Sequence, residues 1–178
     1  DRTLTENQMT VTALVVGETR FDVTGIGYAA VGAIMRAGAP VDLLAGSPVR
    51  EALLAGALCN DARLVETPAG VAIEGDPTEA ALLVAARKAG LDDAALAKKP
   101  RLDVVPFESQ HMYMASLHRS DDGGVVYVKG SSEALLQRCV ERIAEDGTRR
   151  AIDVAAARAT VEDLAASGLR VLCLARRS

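Results

Sequence analysis

Residues 101–130 hold three β-prone runs, "RLDVVPFES", "MYMASLHRS" and "GGVVYVKG", joined only by turns. They lack the repeating βαβ order that a parallel sheet needs. The Asp121-Asp122-Gly123-Gly124 stretch makes the last two runs a hairpin. Upstream, "MTVTALVVGETRFDVTG" alternates in a way that suits one or two strands, with Gly17-Glu18 as the turn, and "GVAIEGD" reads as a short strand entering a loop. "SPVREALLAGALCND" predicts a helix capped by Ser47 with Pro48 at its first position. "PTEAALLVAARKAG" predicts a second, opened by Asp76 and stopped by Gly90, so its start faces a loop. "LDDAALAKKP" reads as a short helix and connection with a solvated charged face. "SSEALLQRCVERIAEDG" is expected as a third long helix, capped by Ser131 or Ser132 and stopped by Gly147. "VAAARATVEDLAASG" makes a fourth, leading into the closing strand "LRVLCLARR". Strands, helices, strands, helices and a strand in that order predict an α+β fold, an antiparallel sheet flanked by helices. With no repeat or interdomain linker, residues 1–178 read as one domain.

Composition narrows the function classes. At 178 residues and 49% hydrophobic, the chain can bury a core. Its net charge of −4 is scattered, with no basic block, which argues against nucleic acid. Aromatics are 3% with no Trp, too few for a base-stacking platform along a single strand. Cys59, Cys139 and Cys173 are odd in number and far apart, which fits reduced thiols rather than a disulfide framework or a metal site. Apolar runs are broken well short of the roughly 20 residues of a membrane helix, and no signal peptide opens the chain, so a soluble piece is expected.

Generic catalytic patterns are weak. Gly25, Gly27 and Gly32 do not have GxGxxG spacing, and no acidic residue follows on a second parallel strand, which argues against a dinucleotide-binding oxidoreductase. His111 and His118 bracket a β-like stretch and share a face or not depending on a bulge; they read as ordinary surface or edge histidines. There is no GxxxxGK[ST], so a bound nucleotide would not have its phosphates held in a P-loop.

Several separated stretches, read together, say more. "TLTENQMTV" at 3–11, "ALCNDARL" at 57–64, "GDPTEAAL" at 75–82, "VPFESQHMYMA" at 105–115, "VKGSSE" at 128–133 and "GLRVLCLA" at 168–175 follow in the order and approximate spacing of a P-type cation-transporting ATPase. Over nearly its whole length the chain resembles the cytoplasmic nucleotide-binding domain of the calcium-pump-like, type II branch, in a bacterial-looking form. "FDVTGIGYAAVG" is similar to that branch as well. The resemblance implies an ATP-binding domain inserted into a phosphorylation domain, partnered by that domain and an actuator domain. It also implies a parent anchored in the plasma membrane, using ATP with Mg²⁺. The isolated domain is expected to be a monomer.

The same resemblance assigns residues. Phe107 matches the aromatic that stacks on adenine, a contact worth about 1–3 kcal/mol by analogy with base stacking. Glu79 matches the acidic residue near the adenine amino group, which a carboxylate accepts from while guanine presents a carbonyl there. Lys129 matches the pocket lysine at a strand end, lying along the ring or reaching a phosphate, and Gly130 lets the backbone approach. Arg170 matches the arginine at the phosphate or ribose end, with Leu172 beside it. Met114 matches a methionine packing under the adenine in an apolar slot with Phe107 and Lys129. Asp76, Thr78, Gln110, His111 and Met112 complete the candidate set. Met112 stands where many animal calcium pumps have a lysine, and Gln110 and His111 are candidates to replace its hydrogen bonding. One cation fewer implies weak binding, on the order of 0.1–1 mM or about 4–5.5 kcal/mol.

The family's phosphorylation sequence is DKTGTLT. Thr3-Leu4-Thr5 match its last three residues, leaving Asp1 where a Thr belongs and Arg2 where a Gly belongs; alternatively Asp1-Arg2-Thr3 is the opening with Gly-Thr deleted. Residues 1–8 thus read as a remnant of that motif and its hinge, at an engineered or processed boundary. With the nucleophile's loop incomplete, the chain is expected to bind ATP without turning it over. No catalytic or metal residue is assigned to it. The alternative is a regulatory or interaction module with a decayed nucleotide site.

Overall fold

The computed structural model describes residues 8–178; the motif remnant expected at 1–8 falls, but for Gln8, outside the described residues. The chain begins with β1 (Ala13–Val16), β2 (Thr19–Val23), β3 (Ile34–Arg36) and β4 (Ala39–Pro40), an antiparallel meander in that order. Helix α1 (Pro48–Leu58) follows, then the hairpin β5 (Arg63–Thr67) and β6 (Gly70–Glu74), α2 (Pro77–Lys88) and the short α3 (Asp93–Ala97). The second half carries β7 (Arg101–Glu108), β8 (Tyr113–Ser120), β9 (Gly123–Gly130), α4 (Ser132–Leu136), the hairpin β10 (Glu141–Ile143) and β11 (Arg149–Ala151), α5 (Val154–Ala166) and β12 (Cys173–Arg177). The main sheet has the order β12-β9-β8-β7. Every strand pairing is antiparallel, as the α+β reading requires.

Local chemistry explains the helix starts. Ser47 accepts from the Arg50 N–H, Asp76 from the Thr78 and Glu79 N–H groups, and Ser131 from the Ala134 N–H, so each satisfies donors that a first turn leaves free. The core joins the meander to α1 and to one face of the main sheet. Phe21, Val23 and Ile34 meet Val49, Leu53 and Leu54 of α1, and Met114, Val125 and Tyr127 come from β8 and β9.

Three expectations are corrected. The third helix stops at Leu136, where the Arg138 and Cys139 N–H groups both turn back to the Leu135 carbonyl. Beyond it, Glu141–Ile143 pair with Arg149–Ala151, and Asp146 accepts from the Thr148 N–H and hydroxyl, so Asp146-Gly147 is a hairpin turn instead of a helix end. The closing strand begins at Cys173, and Leu169–Leu172 run irregularly out of α5. His118 is no surface histidine. It is 2% exposed, bonded to the Lys99 carbonyl at 2.9 Å and to Ser116 Oγ at 2.8 Å, and tilted against Tyr127.

Candidate functional site

The strand register gathers the candidate residues at one end of the main sheet. Met114 pairs with Lys129, and Tyr113 and Cys173 both lie opposite Gly130, so the ends of β7 and β9 and the starts of β8 and β12 converge. Met114, Ser116 and His118 alternate onto the face that also carries Lys129, Tyr127 and Val125. An uninterrupted β7 would set Phe107 opposite Tyr113, on the other face. Instead Val105 pairs with Ala115 and Glu108 with Tyr113, so Pro106 and Phe107 share the place opposite Met114. This one-residue bulge turns Phe107 to the side of Lys129. Phe107 is 56% exposed there.

Helix α2 brings Glu79 to the same corner. Lys129 Nζ donates to Glu79 Oε1, the Asp61 N–H donates to Oε2 at 3.3 Å, and both side chains are largely shielded from solvent. A buried ion pair of this kind holds only while both partners are present. Asp76 Oδ1 caps α2 by accepting from the Thr78 and Glu79 N–H groups, with Thr78 in the first turn. Gly130 is required by close approach: a Cβ there would lie 2.5 Å from the Met112 carbonyl and 2.7 Å from Tyr113 Cβ.

The β7–β8 turn is polar and open. Gln110 Nε2 donates to Glu108 Oε2 at 2.7 Å, and His111 Nδ1 lies 3.3 Å from the same oxygen. Met112 is exposed in the left-handed region with φ +59°, while its carbonyl accepts from the Ser131 N–H at 3.0 Å. Met114 belongs to the core at 2% exposure, so it is floor beneath Lys129 instead of an open wall of a slot. Arg170 is exposed and Leu172 half-buried on the segment leading into β12, at the Gly130 end.

Other groups frame the corner that the sequence patterns had given no role there. Cys59 Sγ lies 3.4 Å from the Met114 carbonyl, and burial pushes its thiol up, against the Ser116 hydrogen bond and the charges of Lys129 and Arg101. Arg101 donates to the Asn60 carbonyl at 2.6 Å and to Asp61 Oδ1 at 2.8 Å. Arg138 covers the Tyr113 ring at 4.9 Å. Asn60 and Asp61 do lie within "ALCNDARL", the signal by which they were findable. A cleft of about 370 Å³ lies elsewhere, between the β1–β2 turn and the β10–β11 hairpin, lined among others by Glu18, Arg142 and Glu145. Its charges are mutually paired, Arg142 with Glu18 and Glu145 with Arg36, and it holds none of the candidate residues.

A family model described as "P-type ATPase, cytoplasmic domain N" matches residues 48–178. The chain belongs to this family. It is 49% identical over 182 residues to the cation-transporting ATPase pma1 of Synechocystis sp., an alignment covering 99% of this chain and 20% of that protein. It is 42% identical over 172 residues to the probable cation-transporting ATPase F of Mycobacterium tuberculosis, covering 96% of this chain and 19% of that protein. With the calcium-transporting ATPase of Bacillus subtilis it shares 32% over 180 residues, covering 98% and 20%. The chain thus spans about a fifth of the length of these relatives, as the N domain of a cation-transporting ATPase. Among the described residues of this N domain, no helix is long and apolar enough to cross a membrane.

Proposed function

We propose that this N domain binds ATP by its adenine end at the β7–β9 corner. The triphosphate then projects toward an acceptor Asp in the phosphorylation domain of the parent pump. Phe107 stacks on the base, Glu79 accepts from the adenine amino group, Lys129 lies along the ring, and Arg170 and Leu172 border the ribose and phosphates. The observation that carries this reading is the bulge at Pro106-Phe107. It turns an exposed aromatic onto the face that bears the Glu79–Lys129 pair. A planar apolar surface beside a fixed acceptor is what an aminopurine needs, since the ring gains from stacking and the amine from a carboxylate.

Mg²⁺ would arrive with the phosphates, and the described residues offer no cluster of three His, Cys, Asp or Glu to hold it. Residues 1–178 act as one nucleotide-presenting unit, monomeric by itself, on the cytoplasmic side of a plasma-membrane parent. Closure of the domain on its hinge delivers the γ-phosphate, and the actuator domain follows in the same cycle. Weak binding suits repeated release.

The test is an amide NMR titration of the chain with ATP, AMP and NAD in the absence of Mg²⁺. Shifts centred on Phe107, Glu79 and Lys129, saturating alike for ATP and AMP and vanishing in a folded Phe107→Ala variant, are expected. No shifts at several millimolar would remove the nucleotide reading and leave an interaction module.

A further inference from the structure

We propose that Asn60 is a positioning residue for base selectivity, holding the first turn of α2 so that the Glu79 carboxylate faces the ligand in one fixed orientation. This rests on the reading of Glu79 as the group that meets the adenine amine. Asn60 follows the C-cap of α1 and is buried. Its Nδ2 donates to the Gly56 carbonyl at 3.0 Å, one of the acceptors left open near the end of α1, and to the Glu79 carbonyl at 2.8 Å. Its Oδ1 accepts from the Ala62 N–H at 2.9 Å, bending residues 60–62 into a tight turn. One amide therefore ties the end of α1, the start of α2 and the link between them.

The turn is where the carboxylate is held. Its central N–H, from Asp61, is the donor to Glu79 Oε2, while Lys129 takes Oε1. An ammonium is a point charge that leaves a carboxylate free to rotate. A second donor on the other oxygen removes that freedom. Arg101, the first residue of β7, locks the turn from outside through the Asn60 carbonyl and Asp61 Oδ1. Each Glu79 oxygen keeps a lone pair for a ligand amine. A guanine carbonyl facing the carboxylate would be set against its acceptor oxygens, and a polar mismatch is what a rigid site rejects most strongly.

The experiment measures ATP and GTP affinity for the intact chain, Asn60→Ala, Glu79→Gln, the double variant and Phe107→Ala, each checked for folding by circular dichroism. Asn60→Ala is expected to weaken ATP about five- to tenfold and GTP less than about twofold. The double variant should be no worse than Glu79→Gln alone, because the two act as one unit. Phe107→Ala should weaken both nucleotides alike, keeping their ratio. A merely structural Asn60 would also lower both affinities together. A folded Asn60→Ala with an unchanged ATP/GTP ratio, or effects that multiply in the double variant, overturns the assignment while leaving nucleotide binding intact. Should Asn60→Ala fail to fold, Arg101→Met loosens the same turn from its solvent side. A fall of about twofold in the ratio is then expected, and an unchanged ratio overturns the proposal. An intact chain that binds neither nucleotide overturns the nucleotide reading, and the selectivity role falls with it.

Discussion

The α2–β9 side of the corner and the β7–β8 turn opposite it differ in how much is fixed before any ligand arrives. On the first side, Glu79 and Lys129 hold each other, Asp61 holds Glu79, and Asp76 closes the start of the helix. On the second, Phe107 and Met112 are exposed, while Gln110 and His111 lean on a single exposed Glu108. Exposed pairs of that sort are worth between about 0 and 1 kcal/mol. A rigid polar wall supplies discrimination, because misplaced partners cannot be accommodated. An exposed aromatic supplies contact area and carries an ordering cost on binding. Under the proposed nucleotide role, selectivity and affinity therefore fall to opposite walls.

The largest expected effect tests whether the fixed side is structural before it is functional. Glu79→Gln leaves Lys129 shielded without its counter-charge, and the uncompensated cation should cost about 2–3 kcal/mol, discounted because Glu79 is not wholly buried. Urea unfolding reads this as a lower midpoint at unchanged slope. Replacing both partners with methionine should recover most of it. Phe107→Ala should stay within about 0.5 kcal/mol, since little packs on it. Equal losses for Glu79→Gln and Phe107→Ala would erase the contrast between the walls.

A smaller effect sharpens the other wall. Met112→Lys places a cation on the open turn, where a phosphate would attract it. ATP affinity should rise by about 1 kcal/mol, the upper end for an exposed charge pair, and the gain should shrink as salt is added. Adenosine, which has no phosphate, should gain nothing. Equal gains for adenosine and ATP would mean that the turn contacts the base instead.

How legible these walls were in the sequence follows the range of the interactions that build them. The helix starts at Ser47, Asp76 and Ser131 depend on neighbours within three residues, and the 101–130 strands on alternation, so both were readable. The helix expected through 131–147 failed because Glu141–Ile143 pair with Arg149–Ala151 across a turn that Asp146 closes by side-chain bonding, while Gly147 looked like a helix stop. The bulge at Pro106-Phe107 is set by pairing with β8, and only Pro106, which cannot donate to a ladder, hinted at it. Met114 and Lys129 were readable as motif residues, but their burial depends on α1 and α2 covering that face. The Asn60 turn joins three elements distant in sequence, so only the motif around it was visible.

The smallest expected effect extends the comparison along the fixed face to His118, two rungs beyond Met114. Burial holds this imidazole below its ordinary 6.5, and the nearby charges of Arg101 and Lys99 push the same way, against backbone hydrogen bonds to Lys99 and Leu58. The fold therefore keeps His118 neutral where the unfolded chain already takes up a proton. Stability from this group is complete above about pH 6.5 and is lost as pH falls from there toward the depressed folded value, because the unfolded state then binds more protons. Between pH 7.5 and 5.5 the loss cannot exceed about 1.4 kcal/mol, the limit for one group over the single pH unit below 6.5. Asp146 is held below its usual 3.8 by its bonds to Thr148, so its own contribution is lost only at more acid pH and does not enter this window. A His118→Gln variant should be less stable at pH 7.5 yet lose less between the two pH values. An unchanged slope in that variant would mean that the proton is taken up elsewhere, and that the buried face tolerates charge as readily as the open turn does.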